Sequence, residues 1–310
     1  MRVILLGPQR RPTLDAVVRS LGPALAPDGT IATINAGWQE READDAVLST
    51  VLRGRDVNLR LHRRWLDVQD RDVEYAAGER RLQEGLAELQ DIYLLRLDYA
   101  LRAVYALQRH EAGGQFQADA VAGALAAVRD LDAAHLHNVN AVRREFFERL
   151  RPHDRPVIAE HRAAVASVLG NAAALVLAGG HVGMLTDVLH LFNVAAALGS
   201  RTVIAWSAGA MALTDRVVLF GDRSPHGPGH PEVYGSGLSV LRDVVLLPHA
   251  RARLLLDDTP RMAVFARRFA PARCILLENG TRVDADSGGA YPPRTRVLAE
   301  NGHVTSLEAA

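Results

Sequence analysis

Short apolar runs alternate with amphipathic segments at both ends of the chain. Residues 3–6, 30–34 and 57–61 are brief and largely apolar, and each reads as a short buried strand. Residues 13–21 and 40–52, between them, carry apolar positions at helical spacing. The alternation resumes with a helix at 157–169, a strand at 173–177, a helix at 185–198 and a strand at 202–205. A strand at 244–247, a helix at 250–269 and a strand at 274–277 complete it. Strands separated by helical crossovers predict an α/β fold with a doubly wound, mostly parallel sheet.

Between about 65 and 152 the pattern is almost wholly helical. Leu82, Leu86, Leu89, Tyr93, Leu97, Leu101, Val104 and Leu107 step by three or four and make one long apolar face. Gly113-Gly114 ends that helix, and further helices are expected at 118–131 and 141–150. The segment reads as a helical insertion within a single α/β hydrolase-type domain covering residues 1–310. Its apolar face is too wide to be solvated alone, so part is expected on the core and part in a homodimer contact. The stretch 221–237, rich in Gly, Pro and His, reads as a mobile loop.

Composition narrows the chemistry. Lys+Arg and Asp+Glu both count 36, so no basic excess favours a nucleic-acid partner. Every one of those basic residues is arginine, which excludes a Schiff-base lysine, a lysine-bound pyridoxal phosphate and a Walker-type phosphate loop. The only cysteine, Cys274, excludes disulfides and cysteine-rich metal sites and fits a reducing cytoplasm. The apolar run at 3–6 is too short for a signal-peptide core. The weakly charged stretch 163–186 is cut by Gly170-Asn171 and Gly179-Gly180, so it reads as buried core and no membrane partner is expected. His226 and His230 are four apart, but Pro225, Gly227 and Pro228 forbid the helix that would align them; no metal or cofactor is expected. His135 and His137, in a helical context, read as flanking a solvated surface.

The strongest chemical signal is Val203-Ile204-Ala205-Trp206-Ser207-Ala208-Gly209-Ala210. An apolar strand runs into a serine flanked by small residues and then into a helix-compatible segment, which is the arrangement of a nucleophile elbow. Ala205 stands where the first glycine of that motif is usual. Leu177-Ala178-Gly179-Gly180-His181 ends the preceding strand, where glycines let backbone N–H groups point into a cavity. His249 follows the strand at 244–247 and could serve as base. Glu278 follows the strand at 274–277 and could orient the imidazole, with Asp222 as its rival. Arg251 and Arg253 could bind a substrate carboxylate or lie on a helix surface.

These segments, with Asn35-Ala36-Gly37-Trp38 and Pro248-His249-Ala250-Arg251-Ala252-Arg253-Leu254, resemble the peptidase E and cyanophycinase family of the class I glutamine amidotransferase-like superfamily. The resemblance covers about residues 1–60 and 155–285. It implies a flavodoxin-like doubly wound sheet, a triad of Ser207, His249 and Glu278, and an oxyanion hole from Gly180 and Ala208. It implies cleavage of a small peptide or related amide, the family's own substrates being dipeptides with an N-terminal aspartate or aspartyl-arginine units. The helical insertion has no counterpart in that family. Serine in place of the amidotransferases' cysteine disfavours ammonia release from glutamine. Two other readings stand beside this one. One is a catalytically silent relative that binds a ligand or protein through the insertion. The other is an acyl transferase or esterase with the same triad.

Overall fold

The structure, a computed structural model, describes residues 1–9, 13–21, 29–110, 113–222 and 229–308. In chain order the strands are β1 (Arg2–Leu6), β2 (Ile31–Ile34), β3 (Asp56–Asn58), β4 (Ala174–Leu177), β5 (Thr202–Trp206) and β6 (Val217–Leu219). Then come β7 (Glu232–Gly235), β8 (Val244–Pro248), β9 (Arg273–Leu277), β10 (Arg282–Asp286), β11 (Arg296–Leu298) and β12 (Val304–Ser306). The helices are α1 (Thr13–Leu21), α2 (Ala46–Val51), α3 (Leu61–Arg71), α4 (Val73–Arg109), α5 (Gln115–Leu150) and α6 (Pro156–Asn171). They continue as α7 (Val182–Leu191), α8 (Val194–Ala197), α9 (Ala208–Met211), α10 (Ala250–Arg253) and α11 (Thr259–Phe269). His226 lies outside the described residues, as do the others of 223–228; within the rest of the 221–237 stretch, expected as loop, lies strand β7.

This architecture corrects the expected fold class. The chain is not one doubly wound, mostly parallel, flavodoxin-like sheet. Its strands form three sheets, with orders β10-β1-β5-β4-β2-β3, β12-β11-β9-β8 and β6-β7. Each contains antiparallel pairing: β1 with β10, β11 with both β9 and β12, and β6 with β7. Two very long helices, α4 of 37 residues and α5 of 36, make up a second architectural centre. At 1.5 Å per residue each is about 55 Å long. The sequence reading failed here because the antiparallel strands are short and lie in turn-rich segments with no helix to announce them.

The six-stranded sheet is covered on both faces. Along β1, Val3 and Leu5 join the large core, while Ile4 and Leu6 join a smaller cluster with Leu14, Val17 and Leu21 of α1. That alternation is the period-two geometry of a strand buried on both sides. In the four-stranded sheet β8 and β9 run parallel, with Pro248 opposite Leu277.

The helical region begins earlier and is more continuous than its sequence suggests. Asp72 caps α4 by accepting a 3.0 Å bond from the Tyr75 amide, and Arg155 bridges the same carboxylate at 2.7 Å. The expected break in residues 132–140 does not occur, and α5 runs unbroken from Gln115 to Leu150. Asn and His there are poor helix formers, but tertiary contacts override propensity. His135 is buried, stacks on Tyr93 with 4.0 Å between centroids, and hydrogen-bonds Gln90 at 2.8 Å. It therefore does not flank solvent. Asp132 is locked by Arg268 of α11 through bonds of 2.7 Å to each carboxylate oxygen. The apolar face of α4 is used inside the molecule: Leu82, Tyr93, Leu97, Leu101 and Val104 are all buried. Its exposed large apolar side chains, Val73, Ile92, Leu95 and Tyr99, lie off that face.

Candidate active site

Four strand ends meet around Ser207. In the register of the sheet Leu6 of β1 pairs with Trp206 of β5, Ala205 of β5 with Leu177 of β4, and Leu177 with Ile34 of β2. The loops that follow these strands all leave from the same carboxyl edge. Trp38 lies on the loop after β2, in a short 3-10 turn over Ala36–Arg41. That loop is pinned at its two ends. Asn35 donates 2.8 Å to the Glu42 carbonyl, and the Glu42 carboxylate accepts the His62 and Arg63 amides at 3.0 and 2.9 Å.

Ser207 sits at φ 52°, ψ −126°, between β5 and the first residue of α9. A serine at such a φ is strained, and strained non-glycine residues concentrate at functional turns. The geometry is that of a sharp strand-to-helix elbow. Ala208 is buried directly after it. The helix that follows has only four residues, so its dipole is much weaker than a full helix at this place would supply.

Close packing explains the glycine pair. A Cβ on Gly179 would lie 2.9 Å from the Ser207 Cβ. Gly180 has φ 126° and presses on Gly37, whose carbonyl oxygen would be 2.3 Å from an added Cβ. The turn is held by the His181 amide, which donates 2.8 Å to that same carbonyl.

Ser207, His249, Gly179 and Gly180 line one cleft of about 550 Å³. The rest of its lining is mostly apolar, with Trp38, Val47, Leu48, Val51 and Trp206. Val47 is 79% exposed, an unusual position for an aliphatic side chain at the mouth of a cleft. The α2 wall was missed in the sequence, although positions 47, 48 and 51 repeat at i, i+1 and i+4, the spacing of one helix face.

His249, half-buried, follows β8 at φ 58°, ψ 33°, and its amide donates 3.2 Å to the Leu277 carbonyl. Because Pro248 and Leu277 are paired, His249 and Glu278 are the next residues out on neighbouring parallel strands, whose backbones run about 5 Å apart. Glu278 does not line the cleft; its Oε1 accepts the Arg251 amide at 2.8 Å. Gly7, one residue past β1, packs directly on it, for an added Cβ there would lie 1.6 Å from the Glu278 carbonyl oxygen.

The rival acid is engaged elsewhere. Asp222 is buried, its Oδ1 accepts 2.5 Å from the Arg261 guanidinium, and its Oδ2 accepts the Leu255 amide at 3.1 Å. The two arginines stay out of the cleft. Arg253 lies over the Phe220 ring at 5.9 Å, and Arg251 lines a separate, polar depression with Arg296 and His303. Cys274 is buried in β9, and that burial pushes its thiol up to about 12, far from a nucleophile's range.

No family model matches the chain, and no curated protein matches it. Among solved structures it is similar to a peptidase from an acI-B1 Actinobacterium, at 14% identity over 99% of this chain and 94% of that one, with a TM-score of 0.41. A likeness of that degree fixes neither family nor activity, which have to come from the site itself. Among the described residues, no helix is long and apolar enough to cross a membrane, and no group of three or more His, Cys, Asp or Glu is placed to hold a metal ion.

Proposed function

We propose that the protein is a serine hydrolase that cleaves a peptide or related amide whose side chain next to the scissile bond is apolar. The observation that carries this reading is Ser207 at a strained elbow, in the same cleft as His249 and Gly180. The resemblance of the strand-end motifs to the peptidase E and cyanophycinase family supports the same chemistry.

In this reading Ser207 Oγ attacks the carbonyl carbon while His249 takes the hydroxyl proton. The carbonyl electrons move onto oxygen, where the Gly180 and Ala208 amides stabilise the negative charge. Collapse breaks the C–N bond, and His249 hands its proton to the departing amine. Water, deprotonated by His249, then attacks the acyl-serine and releases the acid and free Ser207. Glu278, beside His249 at the neighbouring strand end, orients the imidazole.

The apolar wall of Trp38, Val47, Leu48, Val51 and Trp206 favours an aliphatic or aromatic substrate side chain over the aspartate that the family resemblance implies. Burying a Val- or Leu-sized group there contributes about 1.5–3 kcal/mol of binding.

The test is labelling with a serine-directed fluorophosphonate. Wild type should be modified at Ser207, and a folded Ser207→Ala protein should not. Absence of labelling in the folded wild type would count decisively against a hydrolase. An aspartyl anilide turned over faster than the phenylalanyl anilide would overturn the apolar preference alone.

A further inference from the structure

A second cleft, of about 600 Å³, lies between the helical insertion and α7. Trp65 and Gln69 of α3, Glu79, Arg80 and Glu84 of α4, Asp187 of α7, and Tyr234 of β7 line it; Arg80 is exposed and makes no ion pair with Glu79. This cleft shares no lining residue with the first; His181, the residue after Gly180, lines it, and its Nδ1 accepts the Met184 amide at 3.0 Å.

The unusual group in this cleft is Glu79. Its residue is only 8% exposed, yet its carboxylate has no arginine or histidine ion pair among the described residues. Trp65 Nε1 donates to Oε2 at 2.9 Å and Gln69 Nε2 to the same oxygen at 2.5 Å. Neutral donors therefore hold one side of a charge that burial penalises, and both fall on a single oxygen. The second carboxylate, Asp187, is already matched by Arg143 at 2.8 Å and by Gln83 at 3.1 Å. Glu84 is exposed at the mouth. The cleft thus offers one buried carboxylate with no ion pair, a further exposed carboxylate, Glu84, set against the exposed Arg80, and two aromatic side chains suited to the organic body of a cation.

We propose that this cleft is a binding site for a small organic cation, an amine or guanidinium carried on an apolar body, with Glu79 as its counter-charge. The proposal is independent of the hydrolase reading, since it uses neither Ser207 nor His249. The occupant brings a positive charge to the Glu79 carboxylate, and its apolar part rests against Trp65 and Tyr234.

The experiment is calorimetric titration of the full chain with phenethylamine, and with 2-phenylethanol and phenylacetate as neutral and anionic matches of the same size. Wild type should bind the amine at least about tenfold more tightly than either control. Glu79→Gln keeps the shape and an acceptor for Trp65 and Gln69, and should weaken the amine by about tenfold or more. Ser207→Ala should leave its affinity unchanged. Glu84→Gln changes an exposed side chain without threatening the fold and should weaken the amine by roughly two- to threefold. No saturable amine binding, equal binding of the alcohol, or an amine affinity unmoved by both glutamate variants would overturn the proposal. Loss of amine binding in Ser207→Ala would place the ligand in the other cleft and overturn it as well.

Discussion

Gly179 and Ser207 are packed so tightly that a Cβ on the glycine would lie 2.9 Å from the serine Cβ and 3.4 Å from its Oγ. The Trp206 carbonyl oxygen would also be close, 3.3 Å from the same point. Gly179→Ala should therefore displace the serine rather than be absorbed. We expect a loss of about 1–3 kcal/mol in stability, the usual cost of overpacking. Turnover and fluorophosphonate labelling should fall much further, by about a hundredfold, because a 1 Å misplacement of a nucleophile is costly. A melting curve and a labelling rate on the same sample separate the two effects. An alanine variant that labels at the wild-type rate would show that Ser207 is not held by this contact.

The strain at Ser207 gives a second prediction. A residue at φ 52°, ψ −126° carries of order 1–3 kcal/mol of backbone strain, which glycine relieves. Ser207→Gly should be at least as stable as wild type, with any gain trimmed by the greater freedom of glycine in the unfolded chain. Ser207→Ala should melt close to wild type. Both should be inactive. A glycine variant markedly less stable than the alanine variant would mean that the elbow is unstrained.

The two acids should part company by readout. Asp222 clamps Arg261 and the Leu255 amide inside the protein, so Asp222→Asn should cost about 1–3 kcal/mol in stability and leave turnover within a few-fold. Glu278→Gln should leave stability nearly intact and lower kcat by about 10⁴, the size of effect seen when an orienting carboxylate is neutralised. The reverse pattern would assign the orienting role to Asp222.

The contrast between these residues shows what was legible in the sequence. Ser207, His249 and Glu278 each follow a short apolar run, and a strand end can be read from a run of four or five residues. Their places directly after strands β5, β8 and β9 were therefore readable without the fold. What failed was everything set by pairing between distant segments. Asp222 stood as a rival to Glu278 because nothing local shows that Arg261, 39 residues on, fills its carboxylate. The helix expected at 250–269 breaks at Leu254, and Asp258-Thr259-Pro260 starts a new one with a 3.1 Å cap from Asp258 to the Arg261 amide. That start was readable from the capping residue and the proline. The antiparallel pairing of β1 and β9 with the short strands of the tail was not, because three- to five-residue strands between turns carry too little periodicity to fix their partners. Glu79 was invisible for a simpler reason: a single glutamate on a polar-looking helix segment gives no sign that Trp65 and α7 will bury it.

The insertion is tied to the rest of the protein by a charge pair with no exposure to speak of. Arg268 and Asp132 are 3% and 2% exposed, and Tyr93 donates 2.9 Å to Asp132 while accepting the Val233 amide at 3.0 Å. Removing one partner strands the other in the core. Asp132→Ala should cost about 3–5 kcal/mol, whereas replacing both charges by Leu and Met should cost far less. Denaturant melts of the three proteins test this, and equal losses in the single and double variants would mean that the pair itself, not the stranded arginine, carries the stability.

The last prediction concerns the pH dependence of folding. Glu79 is raised from an ordinary 4.5 to about 6, chiefly because burial penalises its charged form, with the Asp187 charge adding to the rise. The Trp65 and Gln69 hydrogen bonds and the Arg143 charge pull the other way and lose. The folded protein therefore holds this proton more tightly than the unfolded chain does. Its contribution to stability is fully present below about pH 4.5 and is lost as pH rises through about 6. The loss amounts to roughly 2 kcal/mol. Glu79→Gln cannot titrate, so the stability of wild type minus that of the variant should fall by about this amount between about pH 4 and about pH 7, while the carboxylates that do not interact with Glu79 cancel in the difference. Saturating phenethylamine should shrink the fall, because a cation beside Glu79 favours the charged form. A difference that stays flat across this range, or rises, would mean that Glu79 is solvated in the folded protein and that the second cleft holds no buried, unmatched charge.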